Sequence, residues 1–180
     1  MEREIKLRFA SPDEARRAVV ALGATAVKPR RLQADALFDT ADRALMLRQA
    51  VLRVRRDGDR SYITFKNPVP HPTMKLREEF ETVVGDPAVI SAVFEQLGFA
   101  IWFRYEKYRE EFRHGDALIA VDETPVGTFV EIEGSEQGIT AIAFKLGRGP
   151  ADYVLDSYRT LFVNDCVARG VEATHMVFES

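Results

Sequence analysis

The feature that most constrains this chain is an alternation of charged and apolar side chains that returns in segment after segment. It begins at Glu2-Arg3-Glu4-Ile5-Lys6. In a β-strand, alternate side chains share a face. Glu2, Glu4 and Lys6 therefore share one face, which Arg8 extends, and Ile5, Leu7 and Phe9 share the other. The layout recurs with Arg53 and Arg55 opposite Leu52 and Val54. It recurs with Thr64 and Lys66 opposite Ile63 and Phe65, and with Arg77, Glu79 and Glu81 opposite Phe80. Lys107 and Arg109 share a face. Ala120 and Asp122 lie opposite Ile119 and Val121, and Glu131 and Glu133 opposite Val130 and Ile132. The segment 101–113 obeys the rule least, because Arg104, Glu106 and Glu110 put charge on its other side too.

Between these segments the sequence carries helix and turn signals. Ser11-Pro12-Asp13-Glu14 reads as an N-cap, a proline at the first helical position and a capping box, and Gly23 as the stop. Residues 25–38 read as an extended strand, and Asp39 to Leu47 as a turn with a short helix. Asp57-Gly58-Asp59 is a hairpin turn between strands. Pro68, Pro70 and Pro72 mark a loop before a strand from Met74 to Val84. Asp86-Pro87 opens a helix that Gly98 closes. Strands over 101–113, 117–123 and 128–133 follow, then helices over 136–146 and 151–168. The tail from Val171 is expected to pair as a strand. The result is about eight strands with short links, hence a largely antiparallel sheet in an α+β domain spanning residues 1–180.

The apolar strand faces must be buried, and amphipathic helices can cover them from outside. The charged faces then look either at solvent from an open sheet or at one another across a closed barrel. Two details favour closure. Ordinary wet faces mix in Ser, Thr, Asn and Gln, whereas these are dominated by Arg and Glu. The charges also come in same-sign pairs, Arg53-x-Arg55 and three separate Glu-x-Glu. Like charges two residues apart gain nothing from each other, so they imply a third body of opposite charge. Glu-x-Glu pairs offer oxygen donors suited to Mg²⁺ or Mn²⁺. Arg and Lys clusters suit phosphate oxygens. Together they point to a metal-bound polyphosphate gripped from several walls.

Other features are bland. The net charge of −3 and the interleaved acids disfavour a nucleic-acid backbone as partner. Cys166 stands alone, so no internal disulfide forms, and it reads as a packing residue. No apolar run is long enough for a membrane helix and the N-terminus is charged, so a cytoplasmic protein is expected. His71, His114 and His175 match no ligand spacing. Gly147-x-Gly149 before Pro150 reads as a helix exit. Trp102, Phe103 and Tyr105 are expected in the core or at a tunnel mouth, with base stacking as the lesser option.

At this point the chain resembles a known family. Glu2-x-Glu4-x-Lys6 resembles the signature of the CYTH domain, found in class IV adenylyl cyclases and thiamine triphosphatases among the triphosphate tunnel metalloenzymes. Phe38-Asp39-Thr40, Leu52-Arg53-Val54-Arg55, Thr64-Phe65-Lys66 and Arg77-Glu78-Glu79-Phe80-Glu81 match in order. So do Lys107-Tyr108-Arg109 and the run from Gly127 to Gly134, and Ser157-Tyr158 with Leu161 resembles the family's C-terminal helix. The chain departs at Asn67-Pro68, where many relatives have Gly-Pro.

The resemblance implies a closed eight-stranded antiparallel tunnel that holds a triphosphate with Mg²⁺ or Mn²⁺. It implies phosphate binding by Lys6, Arg53, Arg55, Lys66, Lys107 and Arg109, with Arg77 beside them. Glu2, Glu4, Glu79, Glu81, Asp122, Glu131 and Glu133 would hold metal or orient the nucleophile. Glu4, Glu133 and Lys6 would stand at the chemistry, with Glu4 or Glu133 accepting a proton. Phe-Asp-Thr and the Ser-Tyr helix look closest to bacterial class IV cyclases. The expectation is therefore cyclisation of ATP to cyclic AMP and pyrophosphate. The alternatives are hydrolysis of thiamine triphosphate, tripolyphosphate or a nucleoside triphosphate, and a binding module without turnover. Related cyclases also suggest a homodimer.

Overall fold

Each alternating segment folds as a strand. The computed structural model describes residues 1–179. In chain order the elements are β1 (Glu2–Phe9), α1 (Pro12–Ala21), β2 (Thr25–Thr40), α2 (Ala44–Leu47), β3 (Val51–Asp57), β4 (Arg60–Val69) and β5 (Lys75–Val84). They continue with α3 (Pro87–Gln96), β6 (Phe99–His114), β7 (Ala117–Thr124), β8 (Gly127–Glu133), α4 (Glu136–Lys145), β9 (Tyr153–Val154) and α5 (Tyr158–Arg169). Around the sheet the strands run β5-β4-β3-β2-β6-β7-β8-β1, and every neighbouring pair is antiparallel. Closure comes from β1 pairing with β5, with Glu2 opposite Arg77 and Glu4 opposite Lys75. The result is a closed eight-stranded antiparallel barrel with helices outside. Among the described residues no helix is long and apolar enough to cross a membrane.

The outward faces make the core. Ile5 and Leu7, Ile119, Val130 and Ile132 pack beneath Ala15 and Val19 of α1 and Ile139, Ile142 and Ala143 of α4. A second cluster joins Phe38, Leu52 and Val54 to Leu45 of α2 and Phe94 of α3, with Phe94 meeting Phe38 edge-on at 5.1 Å between centroids. The helix starts follow their caps. Ser11 Oγ accepts the Glu14 N–H at 3.2 Å, and Asp86 accepts from Ala88 and Val89 at 2.8 and 3.2 Å.

Asp39 of the Phe-Asp-Thr motif acts the same way. It is buried, and its carboxylate accepts the backbone N–H groups of Thr40, Leu45 and Met46 at 2.8, 2.9 and 2.9 Å. It thus pins the short α2 to the end of β2. Asp39→Ala strands these donors and is expected to cost about 2 kcal/mol. A urea melt reads this as a lower midpoint at unchanged slope; an unmoved midpoint would refute the capping role.

Three expectations need correction. Residues 67–69 continue β4, with Pro68 opposite Arg77 and Val69 opposite Leu76, so the loop is only Pro70–Met74. Proline is tolerated there because β4 lies where the β3 pairing has already ended at Lys66. Residues 151–157 are not helical. A 3₁₀ turn at Pro150–Asp152 leads into β9, which pairs with the part of the β1 edge that β5 leaves free, and Ser157 then caps α5. The tail from Val171 forms no strand beyond one parallel bridge, Met176 to Tyr105. Met176 nevertheless is fully buried and exchanges backbone hydrogen bonds with Arg104 and Glu106, where β6 has no β7 partner.

Candidate active site

The inner faces of the barrel enclose a cavity of about 1080 Å³. Of the residues singled out in sequence, Glu2, Glu4, Lys6, Arg53, Arg55, Lys66, Arg77, Glu79, Glu81, Lys107, Arg109, Glu131 and Glu133 all border it. Arg8 does not. It is exposed, its guanidinium lies 4.7 Å from the Phe129 ring centroid, and it donates to the Val126 carbonyl at 3.1 Å. Arg77 sits at the rim and donates to the Gln49 carbonyl at 2.5 Å. At one end the inner faces turn apolar. Leu37, Phe103 and Phe129 pack there with Tyr158 and Phe162 of α5, so the helix plugs that end.

Asp122 has a different place from that expected. It is fully buried and does not border the cavity. Its Oδ1 accepts Arg109 Nε at 2.7 Å, and its Oδ2 accepts Arg109 Nη2 at 2.6 Å, Lys107 Nζ at 2.8 Å and the Tyr158 hydroxyl at 2.6 Å. With both oxygens taken by cations from β6, Asp122 aims Lys107 and Arg109 inward and has nothing left to offer a metal. Burial alone would raise its carboxyl, but Arg109 and Lys107 hold it below the usual range. Arg109 also donates to Glu131 at 2.7 Å.

The remaining walls are set by register. Arg55 forks onto Asp35 at 2.8 and 3.2 Å from the facing strand β2. Arg53 reaches Thr64 at 3.0 Å and Glu81 at 3.4 Å, and its buried Nε lies 3.3 Å from Asp35 Oδ1 as an ion pair that lacks hydrogen-bond geometry. Lys66 holds Glu2 at 2.6 and 2.7 Å and Glu79 at 3.1 Å. Glu4 takes Lys6 at 3.1 Å and Lys75 at 2.5 Å. Burial and Glu131 push the Glu4 carboxyl up, but the two ammoniums prevail and hold it at about 2. Burial pulls Lys107 down to about 8, with Arg109 adding to the effect.

Glu133 is the exception. Directly opposite Glu4 across β1 and β8, it forms no ion pair among the described residues. Like charges face to face are unfavourable. Burial, then Glu2 and Glu131, lift its carboxyl to about 7. Burial, opposed by Lys66, also raises Glu2. The cavity therefore has a cationic side, Arg53, Arg55, Lys107 and Arg109, and an acidic pole around Glu2 and Glu133.

Sequence reasoning missed Lys75 and Asp35. Lys75 shares its strand face with Arg77, Glu79 and Glu81, so the period-2 signal was present. Asp35 shares a face with Gln33 and Leu37, a mixed face that carries no run of charge to mark it. Tyr158 was visible only as a helix motif.

A divalent cation fits this chemistry. No three acids converge at ligating distance among the described residues. Mg²⁺, however, commonly takes one or two carboxylates, with waters and substrate phosphates completing its shell. Glu2, raised by burial, is an all-oxygen donor whose charged form a dication would favour, and the uncompensated Glu133 near it leaves local negative charge for such an ion to answer.

A family model, the CYTH domain, matches residues 1–156. The chain belongs to the CYTH family. A curated relative from Methanocaldococcus jannaschii, provisionally named an adenylate cyclase, is 28% identical over 136 residues, covering 75% of this chain and 77% of that protein. A solved Pyrococcus horikoshii structure superposes with a TM-score of 0.77 at 25% identity, covering 89% of this chain and 99% of the other. A Hippeastrum protein, proposed as an adenylyl cyclase and described as having a dominant triphosphatase activity, superposes at 0.65 with 20% identity, covering 96% and 97%. The CYTH match ends just before Ser157, so the α5 plug and the Tyr158 anchor on Asp122 lie outside the matched segment.

Proposed function

We propose that this CYTH protein is a metal-dependent enzyme acting on a triphosphate held in the barrel, with cyclisation of ATP to cyclic AMP and pyrophosphate as its reaction. The observation that carries this is the two-sided cavity, with a cluster of cations on one side and, on the other, an acidic pole in which Glu133 has no ion-pair partner among the described residues. The cyclase reading draws on the M. jannaschii relative's name and on the Phe-Asp-Thr and Ser-Tyr motifs.

Arg53, Arg55, Lys107 and Arg109 would take the phosphate oxygens, and the Arg53 Nε, which makes no hydrogen bond within the protein although it lies 3.3 Å from Asp35, is one donor open to them. Lys66 and Arg77 stand at the rim. Lys6 is held charged by Glu4 and Glu131 against burial, so its part is electrostatic and not proton donation. Glu2, Glu4 and Glu131, with Glu79 and Glu81 beyond, are the proposed holders of Mg²⁺ or Mn²⁺. When bound, the ion supplies Lewis-acid neutralisation of phosphate charge. In cyclisation the ribose 3′-oxygen bonds to the α-phosphorus, pyrophosphate leaves, and the hydroxyl proton needs an acceptor. Between the two candidates, Glu133 at about 7 matches neutral pH and Glu4 at about 2 does not.

The second reading is attack by water on the terminal phosphorus. The residues named all face phosphate and do not choose the phosphorus attacked, and the same barrel supports a dominant triphosphatase in the Hippeastrum protein. Against a pure binding module stands the set of cavity acids, since anion binding alone needs none of them. The deciding experiment is a product assay with ATP and Mg²⁺ or Mn²⁺. Cyclic AMP with pyrophosphate is expected. ADP with phosphate and no cyclic AMP would replace the first reading by the second, and no turnover of ATP, thiamine triphosphate or tripolyphosphate would end both.

A further inference from the structure

Trp102, the only tryptophan, breaks the alternation of its strand. Leu37 pairs with Phe103 and Phe38 with Ile101, so Trp102 is the extra residue of a β-bulge. A bulge re-aims the side chain it carries. An even-numbered residue that alternation would send outward instead borders the cavity, beside Tyr105. Two arginines lie on its ring. Arg159, in the first turn of α5, borders the cavity with its guanidinium carbon 4.6 Å from the ring centroid. Arg43 backs the ring at 5.1 Å and is held in the left-handed backbone region at φ 60°. Neither arginine forms an ion pair among the described residues, although Asp156 lies close in sequence. Burial and the neighbouring Arg43 both bear against the charge on Arg159. Leu37 and Leu155 add apolar surface.

Trp102, Arg43 and Arg159 offer donors and no acceptors, while Asp156, which also borders the cavity, makes no ion pair with either arginine. Tryptophan offers one N–H, and arginine offers five with a flat face for stacking. Two uncompensated guanidiniums repel a cationic group. They favour a neutral, planar group rich in ring nitrogens and oxygens. It lies at the margin of the cavity that holds the phosphate-facing cations.

We propose that the bulged Trp102 and Arg159, backed by Arg43, form the subsite for the organic half of the substrate, selecting a nucleoside triphosphate over tripolyphosphate and over cationic thiamine triphosphate. This rests on the reading of the cavity as a triphosphate site. The phosphate-binding walls supply affinity common to all three ligands, and this subsite supplies the difference.

Trp102 reports on its own occupancy. The full chain is titrated with ATP, thiamine triphosphate and tripolyphosphate in the presence of a chelator, following tryptophan emission, with calorimetry measuring binding independently. ATP is expected to quench or shift Trp102 emission, and tripolyphosphate to bind with no such change. ATP should bind more tightly than thiamine triphosphate. Arg159→Gln removes a partly buried charge that forms no ion pair among the described residues. It should lower the ratio of ATP to tripolyphosphate affinity by about tenfold, the loss of one charge-assisted contact. ATP binding with unchanged emission, or equal loss for both ligands in the variant, would overturn the subsite and leave the triphosphate site standing. Absence of binding by all three, with the chelator and with Mg²⁺ alike, would overturn both.

Discussion

Asp122→Asn is expected to lower the melting temperature by about 10 °C. The substitution keeps the shape and removes the charge that answers Lys107 and Arg109, both buried. Removing one partner of a buried ion pair costs roughly 3–5 kcal/mol, because the other charge stays behind. For a domain of this size each kcal/mol moves the midpoint by about 2–4 °C. Glu131 still answers Arg109 at 2.7 Å, which keeps the loss finite. Tyr158→Phe deletes only one of the four bonds to Asp122 and is expected to move the midpoint far less. Differential scanning calorimetry of both variants checks the ranking. A melting point for Asp122→Asn within 2 °C (roughly 1 kcal/mol) of the parent protein would contradict the anchoring role. The same logic gives acid lability. Glu4 is held at about 2 in the folded state against 4.5 unfolded, so its contribution is present above pH 4.5 and lost as pH falls through about 2.

Glu133→Gln is expected to reduce turnover of the triphosphate by roughly 10²–10⁴-fold, the usual worth of a positioned general base. Its carboxyl at about 7 predicts the shape of the pH profile. The base must be deprotonated, so kcat/KM should rise about tenfold per pH unit below pH 7 and level off above it. Lys107, pulled to about 8, must stay charged to hold phosphate, so the rate should fall again above that value. Glu133→Gln should erase the lower limb and leave the upper one. Raising the Mg²⁺ or Mn²⁺ concentration should move the lower limb to more acid pH, since a dication nearby favours the carboxylate. In the apo protein the sign of the stability effect is also fixed. A carboxyl raised from 4.5 to about 7 contributes stability that is present below pH 4.5 and is lost as pH rises through 7. Metal should therefore raise the melting temperature more at pH 8 than at pH 5.5, and this difference should shrink in Glu133→Gln. A flat pH profile in the parent enzyme would contradict the assignment.

Much of this molecule was legible because β-structure has a period of two. Odd and even positions separate most of the inward acids and bases of β1, β3, β4, β5, β6 and β8 from the outward apolar residues, with Lys75 and Glu111 as inward members of the same parity that lie outside the family motifs. What stayed hidden depends on register and on distant chain. Asp122 shares the signature of a metal-binding acid. Only the pairing that sets it opposite Arg109, and a hydroxyl from a helix 36 residues away, reveal it as an anchor. The special state of Glu133 arises from facing Glu4 across a strand pair, which no local pattern encodes. Tyr153 and Val154 suit a helix as well as a strand, and the free edge of β1 decided between them. The bulge at Trp102 left no turn residue to announce it.

The most direct test of the account is a crystal soaked with Mn²⁺ and a non-hydrolysable triphosphate, read in anomalous maps. The account predicts a manganese peak inside the barrel beside Glu2, Glu4 and Glu131, with the phosphates along Arg53, Arg55, Lys107 and Arg109. A triphosphate bound on the outer surface, or a manganese site formed without these carboxylates, would contradict it.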